Sequence, residues 1–215
     1  MSSGMPEIDI IYKDSSIVVV NKPGGLLSVP GKGPDKQDCL ANRIRDMFPG
    51  CIPQPSVHRL DMDTSGLMVF AFTKDAHRSL SIQFQDRLVK KQYLSMLEGI
   101  VEKDSGEIRL PFRVDVNNRP YQVYDPVYGR LGITSWEKIT VINNRTRVLF
   151  EPRTGRTHQL RLHASHPMGL GCPIVGDRLY GHMKPGERFH LHASYLCFNH
   201  PDSNKKICFE SPSWF

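Results

Sequence analysis

The sequence predicts an α+β fold, a mixed and mainly antiparallel sheet with helices on its faces. Three observations carry this. Short β-branched or apolar runs outnumber amphipathic segments, many neighbouring runs are joined by turns of a few residues, and strands do not alternate regularly with helices as they would in a βαβ chain. The 215 residues, 39% of them hydrophobic, suffice to bury a full core, and one domain over 1–215 is expected.

The elements follow in order. Met1-Ser2-Ser3-Gly4 carries no structural expectation. Ile8 to Tyr12 and Ile17 to Val20 are β-branched runs joined by Lys13-Asp14-Ser15-Ser16, a hairpin pattern that Asn21-Lys22-Pro23-Gly24-Gly25 ends. Asp38 can cap a helix whose Leu40, Ile44, Met47 and Phe48 share one face, stopped by Pro49-Gly50. Leu67 to Phe72 reads as a buried strand, and Lys74 to Arg87 as an amphipathic helix with Ala76, Leu80, Phe84 and Leu88 inward.

Lys90 to Leu97 alternates as a strand does. Arg109 to Arg130 holds Pro111, Pro120 and Pro126, several arginines and no clear period, which predicts a long surface excursion. Thr134 to Ile142 and Arg147 to Phe150 form a strand pair around Asn143-Asn144. Thr157 can cap a helix with His158, Arg161 and Ser165 on one side and Leu160 and Ala164 on the other. Leu191 to Cys197 and Ile207 to Phe209 suggest a closing strand pair.

A net charge of +6 points to an anionic partner, with nucleic acid the first candidate. The longest apolar runs are about six residues, against the roughly twenty a membrane helix needs, so no integral membrane protein is expected. The five cysteines include no C-x-x-C pair; their odd number and the lack of a signal peptide predict reduced thiols and a cytoplasmic location. Nine histidines raise a metal reading, through His158, His163 and His166 or His190 and His192. Without H-E-x-x-H or a cysteine–histidine set, no metal is expected. The lack of a long exposed apolar stripe predicts a monomer.

One stretch concentrates chemistry: Val57-His58-Arg59-Leu60-Asp61-Met62-Asp63-Thr64-Ser65-Gly66-Leu67 puts a histidine, an arginine, two carboxylates and two hydroxyls directly before a core strand. A buried strand is a rigid mount for such a loop. Alone the motif reads first as a turn whose Asp and Ser cap backbone N–H groups, since such residues do this more often than chemistry. A kinase reading of His-Arg-Leu-Asp fails, because neither a glycine-rich phosphate loop nor Asp-Phe-Gly is present.

Two further segments follow in order: Lys90-Lys91-Gln92-Tyr93, then Gly155-Arg156-Thr157-His158-Gln159-Leu160-Arg161. Together the three resemble the signature of the RluA-type pseudouridine synthases. Asn21-Lys22-Pro23 with Leu26 to Gly31, Asn118-Arg119-Pro120 and Gly176-Asp177-Arg178-Leu179-Tyr180-Gly181 extend the resemblance over most of the chain. Within the family, the length and the Ser28-Val29-Pro30-Gly31 form are most similar to the member acting on both 23S rRNA and a tRNA anticodon stem-loop. Many relatives carry an amino-terminal S4 RNA-binding domain, for which there is no room before Ile8. Tyr121 to Leu131 and Pro185 to Phe189 match no pattern of the family.

The resemblance implies the pseudouridine synthase catalytic-domain fold with RNA-gripping loops, a stem-loop RNA substrate, and isomerisation of uridine to pseudouridine without a cofactor. It makes Asp61 the essential carboxylate, to attack C1′ or to take the proton at C2′. Arg161 would keep that carboxylate charged, its planar fork suiting the task better than lysine. Tyr93 would stack on the uracil, and Arg59 would enter the space a flipped uridine leaves.

His58, Arg59, Thr64, Lys91, Arg156, His158 and Gln159 complete the substrate-binding set it implies, with His58 supporting the loop and Thr64 and Ser65 fixing the turn. Arg87, Lys90, Arg113, Arg119 and Arg153 join Lys91 and Arg156 as candidates for phosphate contact. The competing reading is an RNA-binding module or RNA chaperone without activity. The joint presence of Asp61, Tyr93 and Arg161 argues against it.

Overall fold

The computed structural model describes residues 8–215, so the opening Met1-Ser2-Ser3-Gly4 lies outside the described residues. In chain order the elements are β1 (Asp9–Lys13), β2 (Ile17–Lys22), a short 3-10 turn (Pro34–Lys36), α1 (Leu40–Met47), β3 (Ser65–Ala71), α2 (Lys74–Gln85), β4 (Lys90–Glu98), β5 (Ser105–Val114), β6 (Gln122–Tyr124), β7 (Arg130–Ile142), β8 (Arg145–Pro152), α3 (Gln159–Ser165), β9 (Leu191–Asn199) and β10 (Lys206–Glu210). The α+β expectation holds. Two compact units emerge, one running through Lys90 and adding Ala193–Pro212, the other made of Lys91–His192 with Ser213–Phe215.

In the first unit the strand order is β1-β2-β3-β9, with β10 on β9. β2 pairs antiparallel with β3 from Ile17↔Ala71 to Lys22↔Gly66. Both strands are buried on both faces, which explains their unbroken apolar runs. Ile17, Val19, Leu67, Val69 and Ala71 pack with Ala76 and Leu80 of α2, each such side chain stabilising by about 1.5–3 kcal/mol. Thr73 caps α2, its hydroxyl accepting the Ala76 N–H at 3.1 Å.

Helix α1 departs from its expected cap. Cys39 occupies the N-cap without a side-chain bond, and Asp38 instead receives the Arg43 guanidinium at 2.8 Å. Met47, at 43% exposure, falls off the inward face, as does Leu88 at 65% beyond the end of α2. The thiols also differ from expectation. The β9–β10 register places Cys197 opposite Cys208, and the two form a disulfide, while Cys39, Cys51 and Cys172 are free. No helix among the described residues is long and apolar enough to cross a membrane.

In the second unit the order is β4-β8-β7-β5-β6, with antiparallel pairing throughout. Its core gathers Leu97, Leu110, Phe112, Trp136, Val148 and Phe150 of the sheet against Leu160, Leu162 and Ala164 of α3. The β7–β8 turn uses Asn143 (φ 49°) and Asn144 (φ 59°), the left-handed pair that a two-residue hairpin of right-twisted strands requires. The expected excursion from Arg109 to Arg130 is largely sheet. Ile108, Leu110 and Phe112 alternate inward along β5. Pro111 is tolerated because its carbonyl accepts Asp125 N–H at the end of β6, so its nitrogen faces that same edge and costs no ladder bond.

Candidate active site

The predicted site residues divide between the units: His58, Arg59, Asp61 and Thr64 in the first, Lys91, Tyr93, Arg156, His158, Gln159 and Arg161 in the second.

In the first unit the chain enters β3 through a loop anchored from below. His58 accepts the Val69 N–H at Nε2 (3.1 Å) and stacks on Phe84 of α2 at 4.4 Å, so its ring props the loop against sheet and helix. Ser28 grips Leu60 from both sides, its hydroxyl donating to the Leu60 carbonyl (2.7 Å) and accepting the Leu60 N–H (3.1 Å). Thr64 N–H closes the turn onto the Asp61 carbonyl at 3.2 Å, and the Thr64 side chain is buried. Asp61 is left half-buried between these fixed points, with Arg59 exposed beside it. Gly66 allows the mount itself: at φ 115° a Cβ there would lie 2.3 Å from the Ala193 carbonyl oxygen of β9.

Lys22 is the residue that sequence reasoning missed here. Fully buried at the end of β2, its ammonium donates to the carbonyls of Pro23 (2.8 Å), Leu26 (2.8 Å) and Met62 (2.9 Å). It thus ties its own turn to the residue between Asp61 and Asp63. Burial pushes the Lys22 amine down to about 7, and the carboxylates of Asp63 and Asp61 oppose that fall. In the sequence Lys22 follows Asn21 and precedes Pro23-Gly24-Gly25, a turn pattern that gives no sign of burial.

In the second unit Tyr93 lies opposite Phe150 in the β4–β8 pairing, half-buried against the core. Lys91, two residues earlier, has its amine lowered by burial and lies 4.0 Å from where a Cβ on Gly155 would sit. Helix α3 begins one residue later than expected for a Thr157 cap. His158 holds the N-cap in the left-handed conformation (φ 56°), and no side chain caps the helix. Gln159 braces the preceding loop with all its polar capacity. Its oxygen accepts from Thr154 Oγ1 (2.7 Å) and the Arg156 N–H (3.1 Å), and its amide donates to the Ile133 carbonyl and Thr134 Oγ1 at 3.0 Å each. Arg156 is exposed on that loop.

Arg161 is buried at 3% exposure, and its fork meets a carboxylate within its own unit. Nε and Nη2 donate to Asp177 at 2.8 and 2.5 Å, and Asp177 is wholly inaccessible. Asp177 also accepts the N–H groups of Leu179 and Tyr180. The guanidinium faces the rings of Tyr180 (5.3 Å) and Phe189 (5.1 Å), so its plane is fixed by charge on one edge and aromatic faces around it. Arg161, placed by the sequence pattern on the side of α3 opposite Leu160 and Ala164, is buried along with them, because all residues from Gln159 to Ala164 face the interior. Among the described residues no group of three or more His, Cys, Asp or Glu side chains is gathered as for a metal ion.

Comparison with known proteins supplies the family. The sequence pattern described as RNA pseudouridylate synthase matches residues 16–166. The dual-specificity RNA pseudouridine synthase RluA of Haemophilus influenzae is 45% identical over 98% of this chain and 95% of its own length. The protein of the same name from Escherichia coli K12 is 41% identical over the same shares of the two chains. Among solved structures, human RNA pseudouridylate synthase domain containing 1 aligns at TM-score 0.78 and 29% identity, covering 99% of this chain and 86% of that one.

Proposed function

Since the chain belongs to the RNA pseudouridylate synthase family, we propose that it isomerises uridine in stem-loops of both 23S rRNA and tRNA anticodon arms, with Asp61 as the essential carboxylate. The observation that carries this reading is the Asp61 loop, mounted on buried β3 and held by Lys22 and Ser28 on either side of the carboxylate. A group that must act at the same ribose carbon in every turnover needs that rigidity.

The reaction breaks the N1–C1′ bond, turns the uracil and forms the C5–C1′ bond. The proton from C5 leaves and one is gained at N1, so atoms and electrons balance without a redox partner. Asp61 attacks C1′ or removes the C2′ proton. Tyr93 stacks on the base, its hydroxyl suited to moving the C5 proton, and Arg161 completes the catalytic set as a fixed cation. Arg59, exposed next to Asp61, fills the gap left by the flipped uridine. Residues 1–215 act as one catalytic domain, as a monomer in the cytoplasm. The names of the relatives support a dual specificity, and the sequence resemblance supplies 23S rRNA and the anticodon stem-loop as the two RNAs.

Tritium release from C5-labelled uridine, in a 23S rRNA fragment and in an anticodon stem-loop, tests the reading. Wild type is expected to release tritium from both. Asp61→Asn is expected to release none while keeping RNA affinity within about threefold, since the carboxylate acts in the chemistry and not in phosphate contact. Undiminished release by the variant would remove Asp61 from its role. Binding without release by the wild type would favour the RNA chaperone reading.

A further inference from the structure

Tyr180 lies in the second unit, in the Gly176 to Gly181 turn, and its side chain has a different neighbour at each end. Its hydroxyl accepts the Gln122 N–H at 2.8 Å, at the first residue of β6. The same oxygen lies 2.8 Å from His158 Nδ1. The face of the ring lies under the Arg161 guanidinium at 5.3 Å, and Tyr121 meets it edge-on at 5.8 Å. Its own N–H donates to Asp177, the carboxylate that clamps Arg161.

The loop leading into Gln122 is ordered from within. Asp115 accepts the N–H groups of Asn117 and Asn118 and the Asn118 amide, the Tyr121 N–H donates to the Asn118 carbonyl, and the Tyr121 carbonyl accepts from Asp115 N–H. Arg119 stands exposed at its tip. A preformed loop with an exposed arginine suits a phosphate backbone. Gln122 and Tyr180 join it to α3 through one side chain with only two rotatable bonds. We propose that Tyr180 is a positioning residue that couples the Asp115–Gln122 loop, as an RNA-contacting element, to the setting of Arg161 and His158. The proposal rests on the synthase reading above for the role of Arg161.

The two ends of the side chain separate by substitution. Tyr180→Phe keeps the ring under Arg161 and removes the tie to Gln122. It should raise the KM for a stem-loop about fivefold or more, with kcat reduced less than about threefold. Tyr180→Leu removes the ring as well and should lower kcat by at least about 30-fold. Hydrogen exchange at the Gln122 amide should speed up about tenfold in Tyr180→Phe, an outcome independent of catalysis. Unchanged Gln122 exchange in Tyr180→Phe, or a fall in its kcat without a rise in KM, overturns the coupling. Should Tyr180→Leu not fold, those two measurements on Tyr180→Phe decide alone. Asp61→Asn, assayed in parallel, separates the failures: release by that variant sinks the synthase reading, while the Gln122 exchange still decides the tie.

Discussion

A buried lysine beside two carboxylates costs desolvation energy, and Lys22 offsets that cost with three carbonyl acceptors. Lys22→Met fills the volume but strips donors from Pro23 and Leu26, while Met62 keeps the Gly25 N–H at 2.9 Å. A loss of about 2–4 kcal/mol follows from two carbonyls left unpaired. The dependence on pH has a definite sign. The amine sits at about 7 in the fold and at 10.5 when unfolded, so between those values the unfolded chain binds the extra proton. The cost of burying the charge is therefore full below about 7 and is relieved as pH rises toward 10.5. Urea unfolding of both proteins should show the gap between wild type and Lys22→Met widening by about 2–3 kcal/mol from neutral pH to pH near 9.5. A gap that stays constant would mean the lysine keeps its proton throughout.

Helix α3 carries the same physics with the opposite consequence. His163 is fully buried, both ring nitrogens lack a hydrogen-bond partner, and burial lowers the imidazole to about 4 from 6.5. Its edge-on contact is with Phe112 at 6.0 Å. The unfolded chain takes up a proton below 6.5 that the fold refuses until about 4, so stability is lost as pH falls through that window. The loss amounts to about 3 kcal/mol, and it loosens the helix that carries Arg161. His163→Leu removes two unsatisfied polar atoms and should lie within about 1 kcal/mol of wild type at neutral pH, then retain about 3 kcal/mol more near pH 4. Parallel loss in the two proteins would exclude His163 as the cause.

Elements were legible where their period is local. β2, β3 and α2 announce themselves in runs of six to twelve residues, and the Asn143-Asn144 turn in two. β5 and β6 were hidden because Pro111 interrupts the first and Pro120 and Pro126 flank the second, and only the β6 edge explains why Pro111 is harmless. The Asp61 loop was readable as a cluster. Its Lys22 support, 40 residues from Met62, was not, nor was Asp177, 16 residues from Arg161, or Tyr180, 58 residues from Gln122. Such partners are chosen by tertiary packing, which no window of sequence displays.

At the scale of the molecule, a surplus of 28 basic over 22 acidic residues favours a polyanion, but the basic residues differ in what they can give it. Arg113 is joined to Asp125 at 2.5 Å and Arg153 to Glu107 at 3.3 Å, so each brings its own counter-charge. A phosphate approaching either must compete with a carboxylate already in place, which weakens the contact and the counterion release that accompanies it. Arg119 and Arg156 stand exposed on loops, one at the tip of the Asp115–Gln122 segment and the other at the entry to α3. Each phosphate contact steepens the fall of log affinity against log salt by about 0.7–0.9. Arg119→Ala and Arg156→Ala should therefore each make that slope shallower by roughly one contact's worth, whereas Arg113→Ala and Arg153→Ala should change it by less than about half as much. Fluorescence anisotropy with an anticodon stem-loop over stepped potassium chloride reads the slopes directly. If the paired arginines carried the larger change, ion pairing within the fold would not be what selects the RNA-facing charges.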